Sequence, residues 1–212
     1  MDIVYILGKG SEVDDEELRY SLRSMCINML DLDRVFVVGE HPLFLKDIYH
    51  IPCDDIFEKD WQNALAKTRL ASKWPSMTDE FLLMNDDFFA NKPFEGKELP
   101  FYAVKGGEGG CNGKLDFRIH APIRLKCDWF NKLPLTPEMK GDWSPRTFYC
   151  NFYQAPPTYV ANPMITTGDN APPFQNQIVK YPFFSIKNTA VHSYAFLKWL
   201  TDKYPKPCRF ET

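Results

Sequence analysis

Two adjacent carboxylates, Asp86 and Asp87, follow Asn85 at the end of the apolar run EFLLM. A buried strand cannot hold an unpaired charge in its middle, but its end can reach a crevice. Carboxylate oxygens suit Mg²⁺ or Mn²⁺, which would bridge to the phosphate of a substrate. The alternative is an ordinary turn, since Asn and Asp are also common turn residues.

Two arginines, Arg19 and Arg23, are four residues apart in ELRYSLRS and would therefore share one helix face. Two guanidinium groups on one face repel each other, and a phosphate or diphosphate relieves that repulsion through bidentate contacts. This spacing indicates a phosphate-binding role. The alternative is a solvated basic edge whose charges pair with Asp15 or Glu16.

A histidine between two arginines follows later in the chain. His120 lies in FRIHAPIR between Arg118 and Arg124, and its titration near neutral pH makes it a candidate general base. The alternative is a structural histidine.

SPRTFYCNFY places Arg146 and Asn151 among aromatic residues, which indicates either a turn that faces a ligand or core packing around one satisfied arginine.

Strands and helices in a fixed order would position these residues. IVYIL is a short buried strand followed by the loop GKGS, which contains Gly8 and Lys9. An amphipathic helix and the strand RVFVVGE come next and complete a βαβ unit. A second helix carries Asn63 and Lys67 and precedes the strand that ends at the aspartates. Open α/β sheets bind ligands at the carboxyl ends of their strands, so these loops predict one crevice.

The composition of the chain divides it into two halves. Residues 1–95 read as an α/β half, and residues 96–212 read as a less regular half. Together they predict a single catalytic domain. The chain contains no GxxxxGK[ST], GxGxxG or GxSxG motif, which argues against a P-loop enzyme, a Rossmann dinucleotide site and an α/β-hydrolase.

The bulk properties of the 212 residues indicate a globular protein. Apolar residues make up 44% and the net charge is −3, so we expect no broad surface for nucleic acids. No stretch is long and apolar enough to span a membrane, and the N-terminus does not read as a signal peptide. The six cysteines form no CxxC pair, which predicts reduced thiols and a cytoplasmic location. The sequence does not predict an oligomeric state.

The order of the motifs is more informative than any single one. The segments DIVYILGKGS, ELRYSLRS, RVFVVGEHPLFL, EFLLMNDDFF, FRIHAPI, SPRTFYCNF, FSIKN and YPKPCRFE follow one another along nearly the whole chain. This order resembles the Stealth family of capsular polysaccharide phosphotransferases, which includes the catalytic subunit of the lysosomal N-acetylglucosamine-1-phosphotransferase. ELRYSLRS and NDDFF carry most of the resemblance, and YPKPCRFE supports it.

The resemblance implies a glycosyltransferase-A-like α/β fold, with a mixed, mainly parallel sheet flanked by helices. It also implies transfer of a sugar 1-phosphate from a nucleotide-diphosphate sugar to a hydroxyl of a glycan or another acceptor, with release of a nucleoside monophosphate. By the matching motifs, Asp86 and Asp87 would hold a divalent cation, and Arg19 and Arg23 would stabilise phosphate charge. His120 would be the base that takes the acceptor proton. Arg146 would bind the phosphoryl group or orient the acceptor.

The sequence departs from the family pattern in two places. The opening WVDGSD of the family is ILGKGS here, and its closing Asn-Asp pair is Asn188-Thr189. These departures leave two alternatives open. One is a glycosyltransferase that releases a nucleoside diphosphate, and the other is a non-catalytic relative that binds a sugar or nucleotide. A structural protein whose charged residues form internal salt bridges is a third hypothesis.

Overall fold

The computed structural model describes most of the chain. The described residues are 1–8, 15–103, 117, 121–139, 144–159, 164–165, 182–186 and 192–212. Within these ranges the chain forms ten strands, five α-helices and one short 3₁₀ helix at Gly96–Glu98.

The elements of the first half alternate between strands and helices, as the sequence predicts. They are β1 (Asp2–Leu7), α1 (Glu16–Asn28), β2 (Val35–Gly39), β3 (Tyr49–Ile51), α2 (Asp60–Ser72), β4 (Glu80–Met84) and β5 (Phe88–Ala90). The elements of the second half are shorter. They are β6 (Phe101–Ala103), β7 (Ile123–Lys126), α3 (Cys127–Asn131), α4 (Pro145–Phe152), β8 (Pro157–Tyr159), β9 (Met164–Ile165), β10 (Phe183–Ile186) and α5 (Tyr194–Lys203).

A five-stranded sheet of order β3-β2-β1-β4-β7 forms the centre of the fold. Strands β1 to β4 are parallel, and β7 pairs antiparallel with β4 at the edge. The mixed, mainly parallel sheet predicted from the sequence is therefore confirmed. Strand β7 comes from the second half of the chain, so both halves contribute to one sheet.

The central strands are continuous apolar runs because helices cover both faces of the sheet. Alternate residues of β1 face opposite sides. Ile3 and Tyr5 belong to the cluster that packs on α1, whereas Val4 belongs to the cluster that contains Leu65 of α2. All four of these side chains have 0% exposure. This packing fixes the positions of α1 and α2 relative to the strand ends.

The chain leaves the central sheet immediately after β4. Strand β5 pairs antiparallel with β10 in a second sheet of order β5-β10-β9. The segment Asn85, Asp86 and Asp87 is thus the corner between the two sheets, and we call it the acidic corner. A third, two-stranded sheet pairs β6 with β8.

The ends of β1 and β2 approach each other closely at Gly39. This glycine has a φ of +116°, and a Cβ there would lie 2.1 Å from the carbonyl oxygen of Leu7. Only glycine fits such a position without strain. Because β1 and β2 are parallel and end together at Leu7 and Gly39, the loops after them lie at the same edge of the sheet.

The segment SPRTFYCNFY is helical, and the interpretation as a ligand-facing turn is wrong for its secondary structure. Ser144 caps the helix, since its hydroxyl accepts a hydrogen bond from the backbone N–H of Thr147 at 3.3 Å, and Pro145 occupies the first turn. A serine before a proline favours a helix start, and this signal outweighs the aromatic content.

None of the helices in the described ranges is long and apolar enough to cross a lipid bilayer.

Candidate active site

A cavity of about 360 Å³ opens at the carboxyl edge of the central sheet, between the ends of β1 and β4. Helix α2 forms one wall, and the first residues of α4 form another. The lining residues include Gly8, Trp61, Asn85, Asp86 and Arg146. Four segments that are distant in sequence therefore meet at the edge where open α/β sheets bind ligands.

The acidic corner concentrates negative charge at this cavity. Asp86 accepts a hydrogen bond from the backbone N–H of Asp87 at 3.0 Å. Burial raises the pKa of Asp86 to about 7, and the charges of Asp87 and of Glu17 add to this effect. Because an ionised carboxylate is unfavourable in such surroundings, the corner favours a bound cation.

Arg146 is the positive group of the cavity. Its Nη2 donates to Oδ1 of Asn85 at 2.6 Å and its Nη1 donates to the carbonyl oxygen of Ala121 at 3.0 Å. The guanidinium lies 4.8 Å from the ring centroid of Phe88. Burial lowers the pKa of Arg146 to about 10, and the charge of Asp87 opposes this change. The side chain is therefore charged at neutral pH and held in one orientation.

The residues of the acidic corner fit a Mg²⁺ or Mn²⁺ ion. The described ranges contain no group of three or more His, Cys, Asp or Glu side chains that could by themselves hold a metal. Mg²⁺ commonly binds through one or two carboxylates together with the phosphates of its substrate, and Asp86 and Asp87 provide those carboxylates. Burial and the charges of Asp87 and Glu17 both disfavour the ionised form of Asp86 and raise its pKa, and a cation would offset both effects.

The structure places Arg19 and Arg23 outside the lining of this cavity. Nε of Arg23 donates to both carboxylate oxygens of Glu211 at 3.1 and 2.9 Å, and its Nη2 donates to Oε1 at 2.8 Å. Arg19 binds Glu16 at 3.0 Å and Glu211 at 3.3 Å. Pairing of Arg19 with Glu16 is the alternative that the sequence left open. The two arginines are thus paired within the fold, and the phosphate-binding role stays a prediction.

Two other predicted residues also have protein partners, and a third lines the cavity. The side-chain amide of Asn63 binds the backbone N–H and carbonyl of Phe57, at 3.0 and 2.9 Å, and so holds the segment before α2. Asn151 donates to the carbonyl oxygen of Thr147, one turn earlier in α4. Gly8 lies in the cavity lining, as the loop after β1 was expected to.

Lys67 lines a second, smaller cavity of about 240 Å³ at the ends of β1, β2 and β3. Its buried Nζ lies 2.5 Å from Oδ1 of Asp55 and donates to the carbonyl oxygen of Leu7 at 2.5 Å. The lysine therefore joins α2 to the end of β1. Both cavities lie at the same edge of the sheet, on the side predicted for ligand binding.

Four predicted site residues lie outside the described residues, and their positions stay predictions. They are Lys9, Arg118, His120 and Asn188.

Two residues at this edge were missed by the sequence analysis. Glu17, in the first turn of α1, is close enough to raise the pKa of Asp86. Trp61 lines the larger cavity, and its indole Nε1 is buried with no hydrogen-bond partner among the described residues. Glu17 reads in the sequence as a charge that favours a helix start, and Trp61 reads as a core aromatic, so neither carried a signal of its own.

Comparison with known proteins shows the fold. No protein-family model and no curated protein matches the chain. An active-site mutant of LgtC matches with a TM-score of 0.57 and 10% identity, over 99% of this chain and 98% of that one. The galactosyltransferase LgtC in complex with donor and acceptor sugar analogs matches with a TM-score of 0.57, 9% identity and the same coverage. The chain therefore has the glycosyltransferase-A-like fold predicted from the motifs. At these identities the likeness concerns the fold alone.

Proposed function

We propose that the protein is a transferase that uses a nucleotide-diphosphate sugar and transfers sugar 1-phosphate to an acceptor hydroxyl. The observation that carries the proposal is the pairing of opposite charges at one cavity. The acidic corner can hold a divalent cation, and Arg146 presents a fixed positive charge beside it. A diphosphate between them would meet positive charge from both the cation and the arginine.

The proposed reaction forms one bond and breaks one bond at phosphorus. The acceptor oxygen attacks the phosphorus that carries the sugar, the bond from that phosphorus to the bridging oxygen breaks, and a nucleoside monophosphate leaves. Phosphoryl transfer depends mostly on positioning and on charge stabilisation, which matches the groups at the cavity. The acceptor proton would pass to His120, a role that the motif resemblance implies.

The main polar residues of the cavity would divide the work of binding the donor and its cation. Asp86 and Asp87 would hold Mg²⁺ or Mn²⁺, which when bound neutralises charge on the diphosphate oxygens. Arg146 would bind the transferred phosphoryl group, oriented for it by Asn85. The indole N–H of Trp61 would donate to a substrate oxygen. The first half of the chain would bind the donor, and the second half would bind the glycan or other acceptor.

A second candidate is transfer of the sugar itself. The fold shared over nearly the whole chain with a galactosyltransferase favours it. In this reaction the acceptor oxygen attacks the anomeric carbon, and a nucleoside diphosphate leaves. The same cation and arginine would then stabilise the departing diphosphate, so the site geometry serves both reactions.

Identification of the released nucleotide tests the proposal. The protein would be incubated with Mg²⁺ or Mn²⁺, a panel of nucleotide sugars and simple glycan acceptors, and the products would be separated by liquid chromatography with mass detection. We expect a nucleoside monophosphate and a phosphodiester product. A nucleoside diphosphate would establish the second candidate instead. Binding without release across the panel would contradict both.

Arg146→Lys would then show whether the arginine acts in the reaction. A lysine keeps the charge but loses the bidentate fork, so we expect turnover to fall by about 10- to 100-fold. Lys132→Arg, which changes an exposed cation immediately after α3, is the control and should leave turnover unchanged.

A further inference from the structure

Two cysteines from opposite ends of the sequence meet away from the candidate active site. Cys26 lies in the last part of α1, and Cys208 lies in the C-terminal tail after α5. Their thiols share a hydrogen bond. Both side chains pack on the same buried apolar cluster and both are partly exposed to solvent. The pair is therefore preassembled and within reach of a small reagent.

The residues around the pair hold the two thiols against each other. Arg23, one turn before Cys26, binds Glu211 at 2.8 Å, three residues after Cys208. The carboxylate of Glu211 also accepts a hydrogen bond from the backbone N–H of Cys208 at 2.8 Å. One face of α1 thus presents both the arginine and the thiol to one short turn of the tail.

Further contacts fix the rest of the tail. The guanidinium of Arg209 donates to the carbonyl oxygens of Leu32 and Asp33, at 3.2 and 2.9 Å. The backbone N–H of Thr212 donates to the carbonyl oxygen of Phe44 at 2.8 Å. The tail is therefore held immediately after Cys208, which keeps its thiol beside that of Cys26.

The two thiols are chemically unequal. The hydrogen bond with Cys26 lowers the pKa of Cys208, with help from the backbone N–H of Phe210, although burial and the carboxylate of Glu211 oppose the change. The same hydrogen bond, together with burial, raises the pKa of Cys26. Since the thiolate is the reactive form of cysteine, we expect Cys208, whose pKa is lowered, to react first.

We propose that Cys26 and Cys208 form a reversible disulfide that fastens the C-terminal tail to α1. The oxidant is a small-molecule disulfide such as glutathione disulfide. The sulfur of Cys208 attacks one sulfur of the reagent, which breaks its S–S bond and releases one thiol. The sulfur of Cys26 then attacks that of Cys208 and releases the second thiol. The two protons of the protein thiols end on the two released thiols, so the exchange balances.

The disulfide would stabilise the fold because it joins residues near the two ends of the chain. A cross-link that closes so long a loop strongly reduces the conformational entropy of the unfolded chain. Glu17 at the start of the same helix lies beside the acidic corner, whereas the cysteines lie near its other end. The disulfide would therefore hold α1, whose first turn lies near the acidic corner. It would add no group to the candidate active site.

Peptide mapping and thermal unfolding test the proposal. The reduced protein would be treated with glutathione disulfide, digested without reduction and analysed by mass spectrometry. We expect a peptide that links Cys26 to Cys208, and a rise in Tm of roughly 5–10 °C that dithiothreitol reverses. Cys26→Ser and Cys208→Ser should each abolish the link and the rise.

Cys53→Ser is the matched control, because Cys53 is partly exposed but lines the smaller cavity. It should keep both the linked peptide and the rise in Tm. Separate glutathione adducts on Cys26 and Cys208, with no link between them, would overturn the proposal. A link with no change in Tm would overturn the fastening role.

Discussion

Two regions of the molecule combine arginine with carboxylates, and they use the combination in opposite ways. At the C-terminal tail, Arg23 and Glu211 form an ion pair, which we call the tail ion pair, with Glu211 only 2% exposed. At the acidic corner, Asp86 and Asp87 lie beside a cavity, and the guanidinium of Arg146 donates to the neutral oxygens of Asn85 and Ala121.

The direction of the pKa changes separates the two regions. Burial alone would raise the pKa of Glu211, but hydrogen bonds from Arg23 and from the backbone of Cys208 lower it below its ordinary value. For Asp86, burial and the neighbouring carboxylates act in the same direction and raise the pKa. The tail ion pair is satisfied within the fold, whereas the acidic corner is electrostatically unfavourable without a ligand. Such unfavourable charge at a cavity is characteristic of functional sites.

The largest expected effect is on stability, at the tail ion pair. Glu211→Gln keeps the shape of the side chain but leaves the buried charge of Arg23 without its counter-ion. We expect the free energy of unfolding to fall by about 3–5 kcal/mol, measured by urea denaturation. The control is Asp202→Asn, which breaks an exposed pair with Lys198 and should leave the free energy of unfolding almost unchanged. Equal losses in the two variants would mean that the tail ion pair stabilises the fold no more than an exposed pair does.

The next effect is on activity, at the acidic corner. Asp86→Asn removes a charge that the proposal assigns to cation binding, so turnover of the accepted nucleotide sugar should fall by about 100-fold or more. The urea midpoint should stay unchanged or rise, because the substitution relieves repulsion with Asp87 and Glu17. Asp128→Asn, at a carboxylate that is 87% exposed on α3, should change neither quantity. Full activity of Asp86→Asn would remove the corner from the proposed mechanism.

The sequence predicts the central sheet well because its signals are local. The apolar runs of β1, β2 and β4 are long enough to mark buried strands, and the acidic pair marks the end of β4. The second sheet was not predicted, because β9 and β10 are short and their pairing joins β5 to a segment almost one hundred residues later. Such distant pairing leaves no pattern in either segment by itself.

The site was predicted in part for a similar reason. Asn85, Asp86 and Arg146 were recognised by residue type, and the structure brings all three to one cavity. Arg19 and Arg23 carry the same kind of signal, yet Glu211 neutralises them from the far end of the chain. Helical spacing shows that two arginines share a face, but it does not show which carboxylate packs against that face.

The smallest effect concerns the pH dependence of stability, and it comes from the tail ion pair. The pKa of Glu211 is lower in the folded protein than its ordinary value of 4.5, so the unfolded chain binds a proton more readily. The contribution of this carboxylate is therefore fully present above that ordinary value and is lost as the pH falls through the folded value. The test is urea denaturation of wild type and Glu211→Gln at a series of pH values between neutrality and the acid range. We expect the difference between their free energies of unfolding to shrink as the pH falls.

A difference that stays constant would mean that Glu211 has the same proton affinity in the folded and unfolded states. Its hydrogen bonds with Arg23 would then not favour the ionised form. The tail ion pair and the acidic corner would then no longer differ in the direction in which the fold shifts the pKa of their carboxylates.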